Sequence, residues 1–240
     1  MIAPDVAPTP ADGLADFVVV DLETTGWDPS SARITEIGAV RVTAGWRREV
    51  FSTLVNPGCP VPGPVAELTG ITDALVAEAP RIAEVLPAFF DFARGAVLTA
   101  HNAPFDVGFL TAACEAAGLA WPDFTVLDTV AIARATLRPG EVPDCKLATL
   151  TRYFATPVMP SHRALADALA TAGVLDSLLG RLSAMGVRSV AEISRLAAEA
   201  AAAAAPARRP RRPAWRWRLS RLVRRARAFT WAGRRRPRRP

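Results

Sequence analysis

The sequence is poor in cysteine and lacks the patterns that mark several common classes of protein. Its cysteines, Cys59, Cys114 and Cys145, are odd in number and share no CxxC spacing, which argues against a disulfide framework and a cysteine zinc site. No apolar run reaches the roughly 18 residues needed to cross a bilayer. The first 16 residues contain no basic segment followed by an apolar run, so a signal peptide is not expected. These absences predict a protein of a reducing, cytoplasmic compartment.

Acidic residues are missing from one end of the chain. Residues 206–240 contain 15 arginines and no Asp or Glu, so this tail carries a net charge of +15. The whole chain has a net charge of +6, which leaves −9 for residues 1–205. The isoelectric point of the chain, near 10.4, is therefore due to a basic tail attached to an acidic domain. A hydrophobic content of 50% in 240 residues is enough to build a core, which excludes a wholly disordered chain.

Strand and helix patterns alternate along the middle of the chain. The predicted strands are 17–21, 34–43, 47–55, 96–100 and 124–127, and residues 44–46 form a hairpin turn between the second and the third. The predicted helices are 81–94, 104–118, 131–137, 147–154 and 163–185. This order predicts an α/β fold with a mixed β-sheet, an opening antiparallel hairpin and flanking helices. In such folds the chemistry lies at the carboxyl ends of the strands.

The composition divides the chain into four regions. Residues 1–15 are predicted to be a disordered N-terminus, and residues 16–185 form the main domain. Residues 186–205 contain a capping box from Ser189 to Glu192 and an alanine run, which predict a helical spacer. The tail, residues 206–240, is rich in Arg and Pro, and its segment 215–229 has the pattern of a basic amphipathic helix. Nucleic-acid phosphates, an anionic membrane surface and a groove on a protein partner are the three candidate ligands of the tail.

Carboxylates recur where the predicted strands end. Asp21 and Glu23 are two residues apart on an extended segment, so their side chains point the same way. Asp106 begins a helix after a separate strand. His162 and Asp167 cannot face one atom from a regular helix, so His162 is expected to precede the helix. A turn or helix-cap role is the ordinary alternative for each acid alone, but together the oxygen ligands favour Mg²⁺ or Mn²⁺ over zinc.

Three segments resemble the motifs of the DnaQ-like, or DEDDh, 3′–5′ exonucleases, the family of the proofreading epsilon subunit of DNA polymerase III. They are Asp21-Leu-Glu-Thr-Thr-Gly26, His101-Asn-Ala-Pro-Phe-Asp106 and His162-Arg-Ala-Leu-Ala-Asp167. Stretches 34–40, 68–72 and 127–129 also agree with that family. The resemblance covers about residues 17–179 and leaves out the tail.

The resemblance implies an RNase H-like fold and hydrolysis of a phosphodiester at a 3′ end with two Mg²⁺ or Mn²⁺ ions. Asp21, Glu23 and Asp167 match the ligands of the first ion, and Asp21 and Asp106 match those of the second. His162 matches the general base, and a histidine can accept a proton at neutral pH. The positions that match substrate contacts are Leu22, Thr24, Thr25, Leu68, Thr69, Asn102 and Phe105. Core packing is an equally good account of Leu68 and Phe105. His101 is expected either to support a site residue that contacts the metal or substrate, or to have a structural role.

The resulting prediction is a metal-dependent 3′–5′ exonuclease of DNA that acts on single-stranded or frayed ends in repair or maintenance of nucleic acid. Two alternatives stay open: an exoribonuclease that trims RNA ends, and a catalytically silent module that only binds nucleic acid. Epsilon subunits bind the polymerase through a C-terminal segment, which alanine and arginine replace here. Association with a polymerase is therefore not implied.

Overall fold

The computed structural model of the protein describes residues 15–43 and 48–204. The strands within these residues are β1 (Phe17–Thr24), β2 (Ile34–Val42), β3 (Arg48–Leu54), β4 (Val97–Ala100) and β5 (Val126–Asp128). The helices are α1 (Gly63–Thr69), α2 (Asp73–Val76), α3 (Ile82–Ala93), α4 (Ala103–Ala117), α5 (Thr129–Thr136), α6 (Leu147–Tyr153), α7 (Ala164–Ala184) and α8 (Val190–Ala204). Of the predicted features, the hairpin turn at 44–46, the tail helix at 215–229 and all but the last residue of the segment 1–15 lie outside the described residues.

The strands form one mixed sheet in the order β3-β2-β1-β4-β5. β1, β2 and β3 pair antiparallel in succession, whereas β1, β4 and β5 run parallel. The predicted α/β class, mixed sheet and opening antiparallel strands are therefore confirmed. β1 lies at the centre of the sheet, between the hairpin strand β2 and the parallel strand β4.

Each face of the sheet is covered by helices over its own apolar core. Val18 and Val20 of β1 pack with Leu86 and Phe89 of α3 and with residues of α4 on the first face. Phe17 and Val19 alternate with them and pack against α5, α7 and α8 on the second face. Because both faces are buried, β1 begins as the continuous β-branched run that the sequence shows. None of the helices among the described residues is long and apolar enough to span a membrane.

Among the differences between observed and predicted element ends, two lie beside predicted acids at the carboxyl edge of the sheet. β1 continues three residues past Asp21 because Glu23 and Thr24 still pair with β2. α5 starts at Thr129 rather than 131, since the Asp128 carboxylate accepts a hydrogen bond from the Val130 N–H at 2.9 Å and caps the helix. Both differences extend regular structure up to the predicted acids.

The segment predicted as a helical spacer is part of the packed domain. The capping box forms as expected, with the Glu192 N–H donating to Ser189 Oγ at 3.3 Å. α8 then buries Ile193 and Ala197 in the core of the second face, where the helix packs against α5. The capping box and helix propensity predict the helix, but the apolar stripe that docks it is hard to recognise within the alanine-rich sequence.

Candidate active site

Asp21 and Glu23 point to the second face of the sheet, just beyond the apolar core on that face. Alternation places them on the same face as Phe17 and Val19, which are buried against α7. Both acids are only partly buried. The acids therefore lie at the edge of this core, where the second face of the sheet becomes accessible to solvent.

α7 brings Asp167 to this opening because its first turn lies directly on β2. Gly38 of β2 is paired with Asp21, and a Cβ at position 38 would lie 2.1 Å from the backbone nitrogen of Leu165. A side chain larger than hydrogen would therefore push the helix away from the sheet. With glycine at this position, Asp167 is buried in the first turn of α7 beside the acids of β1.

The three carboxylates form one cluster. Asp21, Glu23 and Asp167 each offer an oxygen, and these oxygens all lie within 4.8 Å of one another. Oxygen donors at this separation suit a hard divalent cation. The donor set thus fits the ions that the sequence predicts.

Asp106 lies next to this cluster, on the other side of β1. β1 pairs with β4 only as far as Val19 and Thr99, so the backbone of β1 beyond that pair is free of β4. Asp106 is buried in the first turn of α4, close to the backbone of Leu22 in β1. The side chain is close enough to Asp21 for the two charges to interact.

Burial and mutual repulsion disfavour the charged forms of these acids. Burial raises the pKa of Asp21 well above its usual range, and the charges of Asp106, Asp167 and Glu23 raise it further. The pKa of Glu23 rises to about 7 through burial and the charges of Asp167 and Glu36, although Arg163 opposes the shift. Burial also raises the pKa of Asp106 and of Asp167, against hydrogen bonds from backbone N–H groups. A bound cation would relieve this repulsion.

His162 precedes α7, as its spacing from Asp167 predicts. The residue is exposed, and its backbone is left-handed with φ of 58°, which is uncommon for a residue with a side chain. The neighbouring Ser161 N–H donates to Asp167 Oδ1 at 2.7 Å. The histidine charge interacts with the Asp167 carboxylate, so His162 lies at the edge of the acid cluster.

Two site residues, Glu36 and Arg163, were not identified from the sequence. Glu36 is a buried acid of β2 that is paired with Glu23 across the two strands. Arg163 forms an ion pair with it, at 2.6 Å between Nη2 and Oε1. The available signal was a charged residue within the apolar stretch 34–40, which the family resemblance covers without assigning a role.

Asp128 and His101 join β4, β5 and their helices behind Asp106. One oxygen of Asp128 accepts hydrogen bonds from the N–H groups of Asn102 and Val130, both at 2.9 Å. His101 Nδ1 lies 2.8 Å from Thr129 Oγ1, and burial lowers the pKa of the imidazole. His101 thus connects the end of β4 to α5.

The predicted substrate contacts in β1 and directly after it already pack against or hydrogen-bond to other residues of the protein. Leu22 is buried in the core of the first face. Thr24 Oγ1 donates to the Gly26 carbonyl at 2.6 Å, and Thr25 Oγ1 accepts from the Arg33 N–H at 2.9 Å. The Thr25 hydroxyl keeps its own proton to donate, whereas the Thr24 hydroxyl can only accept. Substrate contacts at these residues stay predictions.

The other predicted contacts differ in exposure. Leu68 is 51% exposed at the end of α1, whereas the adjacent Thr69 is buried and its hydroxyl donates to the Val65 carbonyl. Asn102 is exposed, with a left-handed backbone. Phe105 is half-buried beside Trp27, which is 84% exposed, and their ring centroids are 6.0 Å apart. Trp27 was not identified from the sequence.

Comparison with known proteins gives one family and several relatives. The family model described as exonuclease matches residues 18–175. A Mycobacterium tuberculosis protein, named as a bifunctional exonuclease/endonuclease, is 49% identical over 195 residues, which are 77% of this chain and 30% of that protein. A DNA polymerase III subunit epsilon-like protein of Rhodobacter capsulatus is 44% identical over 76% of this chain and 26% of its own length. The chain therefore spans less than a third of these two relatives.

A solved structure gives the same picture of the fold. The structure of exonuclease X in complex with 5′ overhanging duplex DNA matches with a TM-score of 0.58 and 26% identity, and the match covers 75% of this chain and 99% of that one. The mixed five-stranded sheet with flanking helices is therefore RNase H-like, as predicted.

Proposed function

The chain belongs to the DnaQ-like exonuclease family, and from this premise we propose that it hydrolyses DNA from the 3′ end. The observation that carries the proposal is the acid cluster of Asp21, Glu23 and Asp167, with Asp106 beside it and His162 at its edge. All five residues of the family motifs are present, which disfavours a silent binding module. The names of the relatives and the DNA in the exonuclease X complex favour DNA as the substrate.

The cofactor in this proposal is a pair of divalent cations, Mg²⁺ or Mn²⁺. Asp21, Glu23 and Asp167 would hold one ion, and Asp21 and Asp106 would hold the other. Their oxygens suit such ions, and positive charge would lower the pKa values that burial and mutual repulsion raise. When bound, two such ions would polarise the scissile phosphate and offset the charge that develops on it.

His162 is the proposed general base. Its exposed imidazole lies beside the cluster, where a ring nitrogen would take a proton from the attacking water. Asp167 supports this position, because its carboxylate accepts the N–H of the preceding residue, Ser161. The acids of β1 and α7 would hold the reacting phosphate in place through the cations while the histidine moves the proton.

The surface beside the cluster suits the end of a single strand. Trp27 and Phe105 are adjacent aromatic rings, and Trp27 is almost fully exposed. Exposed aromatic rings stack on bases without regard to sequence. The Thr25 hydroxyl can donate to a sugar or phosphate oxygen, and Leu68 offers an exposed apolar side chain. These groups would let the site bind single-stranded or frayed ends of any sequence.

The tail, residues 206–240, lies outside the described residues and is assigned a role from its charge alone. We propose that its 15 arginines bind the phosphates of the nucleic acid. This charge would offset the repulsion between the polyanion and the acidic residues 1–205. An anionic membrane and a protein partner are the competing ligands, and association with a polymerase is not part of the proposal.

The test uses labelled DNA and RNA oligomers of one sequence, each with a free or a blocked 3′ end, incubated with the protein and Mg²⁺ or Mn²⁺. Stepwise shortening of DNA that requires a free 3′ end is the expected result. Faster shortening of RNA would replace this function with that of an exoribonuclease. Binding without shortening of either would support the silent module. Asp21→Asn is the matched control, because it preserves the shape of the side chain and removes the charge.

A further inference from the structure

Both oxygens of the buried Glu36 carboxylate accept hydrogen bonds from residues at the start of α7. Arg163 donates from Nε to Oε2 at 3.1 Å and from Nη2 to Oε1 at 2.6 Å, and the Ala164 N–H donates to Oε2 at 2.9 Å. Glu36 therefore accepts both a two-point ion pair and a bond from the first residue of the helix. Glu36 is 3% exposed, so its bond from the Ala164 N–H is buried, whereas the Arg163 side chain stays partly exposed to water.

The residues that Glu36 holds lie between two residues of the proposed active site. Arg163 follows His162 directly, and Ala164 begins the helical turn that carries Asp167. His162 is held in a left-handed conformation, which is unfavourable for a residue with a Cβ. The Ser161 N–H bond to Asp167 restrains the chain before His162, and the bonds to Glu36 restrain it afterwards.

We propose that Glu36 is a positioning residue, which through Arg163 and the Ala164 N–H fixes the start of α7 and thereby sets His162 and Asp167 against the acids of β1. This inference rests on the proposed function, because it assigns Glu36 a part in binding the cations. Glu36 does not itself take part in the cluster of three oxygens. Its effect is carried by the backbone that joins His162 to Asp167.

The ion pair also protects the cluster from an additional negative charge. Glu36 is paired with Glu23 across the strands, and its charge acts on both Glu23 and Asp21. Arg163 neutralises that charge. Removing Arg163 alone would leave a buried anion that keeps the Ala164 N–H but has lost its positive partner, whereas removing both partners would eliminate the two charges together. Single and double variants therefore separate the effect of charge from that of position.

The experiment measures the affinity for Mn²⁺ without DNA, by titration calorimetry, and the stability of each variant by thermal unfolding. The variants are Arg163→Met, the double variant Glu36→Leu/Arg163→Met, and Glu36→Gln, which keeps an oxygen for the Ala164 N–H. The matched control is Arg48→Met/Asp176→Leu. It removes the other ion pair between the hairpin strands and α7, 2.9 Å long and away from the cluster. The kcat on saturating DNA is measured for each.

The double variant is expected to be more stable than Arg163→Met, yet to bind Mn²⁺ about 10–100-fold more weakly than the unsubstituted protein and to lose kcat. Glu36→Gln should lose less affinity, and the control should keep both affinity and kcat. A double variant with unchanged Mn²⁺ affinity and kcat would overturn the proposal, as would a control that loses as much. If the unsubstituted protein bound no Mn²⁺ and shortened no DNA, the proposed function itself would fail.

Discussion

The two halves of β1 share the same alternation of side chains between the faces of the sheet, but the first half is apolar and the second half carries acids. In the first half, Phe17 and Val19 enter one core while Val18 and Val20 enter the other. In the second half the same two-residue period directs Asp21 and Glu23 together toward α7, where they meet Asp167. The first half contributes burial of apolar surface, and the second half concentrates carboxylates whose charged forms repel one another.

The comparison shows that stability and function are separated along a single strand. Apolar burial at the start of β1 stabilises the fold by roughly 25 cal/mol for each Å² removed from water. The acids at its end oppose folding unless a cation is present. Substitution of an acid should therefore lower activity and raise the stability of the metal-free protein. Substitution of a core residue should lower stability and leave activity nearly unchanged.

The largest effect is expected from removing the charge of Asp21. Asp21→Asn should reduce metal-dependent hydrolysis of DNA by about 10²–10³-fold, the range found for losing one group that stabilises the charge of a transition state. The same change should raise the unfolding temperature of the metal-free protein, since it removes repulsion from the cluster. Product release from labelled DNA and thermal unfolding in a chelator measure the two effects. A fully active Asp21→Asn protein would break the contrast between the halves of β1.

A change in the core should show the reverse behaviour. Leu178 of α7 is fully buried on the second face, so Leu178→Ala should lower the free energy of unfolding by about 2–5 kcal/mol. Well below the unfolding temperature, its Mn²⁺ affinity and kcat should stay close to those of the unsubstituted protein. Denaturant unfolding and calorimetry provide the test. A large loss of Mn²⁺ affinity in the folded variant would show that the core and the acid cluster are not separable.

A smaller effect is expected at the aromatic surface beside the cluster. Trp27→Ala should weaken binding of single-stranded DNA by about 1–3 kcal/mol, the contribution of one stacked base, and leave stability almost unchanged because the side chain is exposed. Fluorescence anisotropy with labelled DNA in Ca²⁺, in place of the catalytic ion, measures the affinity. Trp27→Phe serves as the control, since it retains a ring for stacking. Equal affinities of all three proteins would remove Trp27 from the binding surface.

The smallest effect at physiological salt is expected from deleting the tail. A protein ending at residue 205 should bind DNA more weakly, with a shallower dependence of log K on log salt, because fewer counterions are released. The turnover of saturating DNA should persist, since the acid cluster lies outside the deleted segment. Binding isotherms at several salt concentrations give the slope. An unaltered slope would assign the tail to a membrane or a protein partner instead.

Local patterns predicted the parts of the fold and site whose signals are contained in short segments. The β-branched run of β1, the spacing of Asp21 and Glu23 and the position of His162 before α7 are of this kind. Glu36 was missed because its role depends on α7 lying against Gly38, a contact between residues far apart in the sequence. The packing of α8 is missed for the same reason, since Ile193 is buried by residues far away in the sequence, including those of α5.

The most direct test of the central claim, that the end of β1 is built to bind cations, is thermal unfolding with and without Mn²⁺ at about pH 5 and about pH 8. The folded-state pKa of Glu23 is raised to about 7, and those of Asp21, Asp106 and Asp167 are also raised, so the folded metal-free protein retains protons that the unfolded chain has lost. Its stability should therefore fall as the pH rises through this range. Mn²⁺ should raise the unfolding temperature, and by more at the higher pH, because it binds the deprotonated acids. An unfolding temperature that Mn²⁺ leaves unchanged at both pH values would contradict the account.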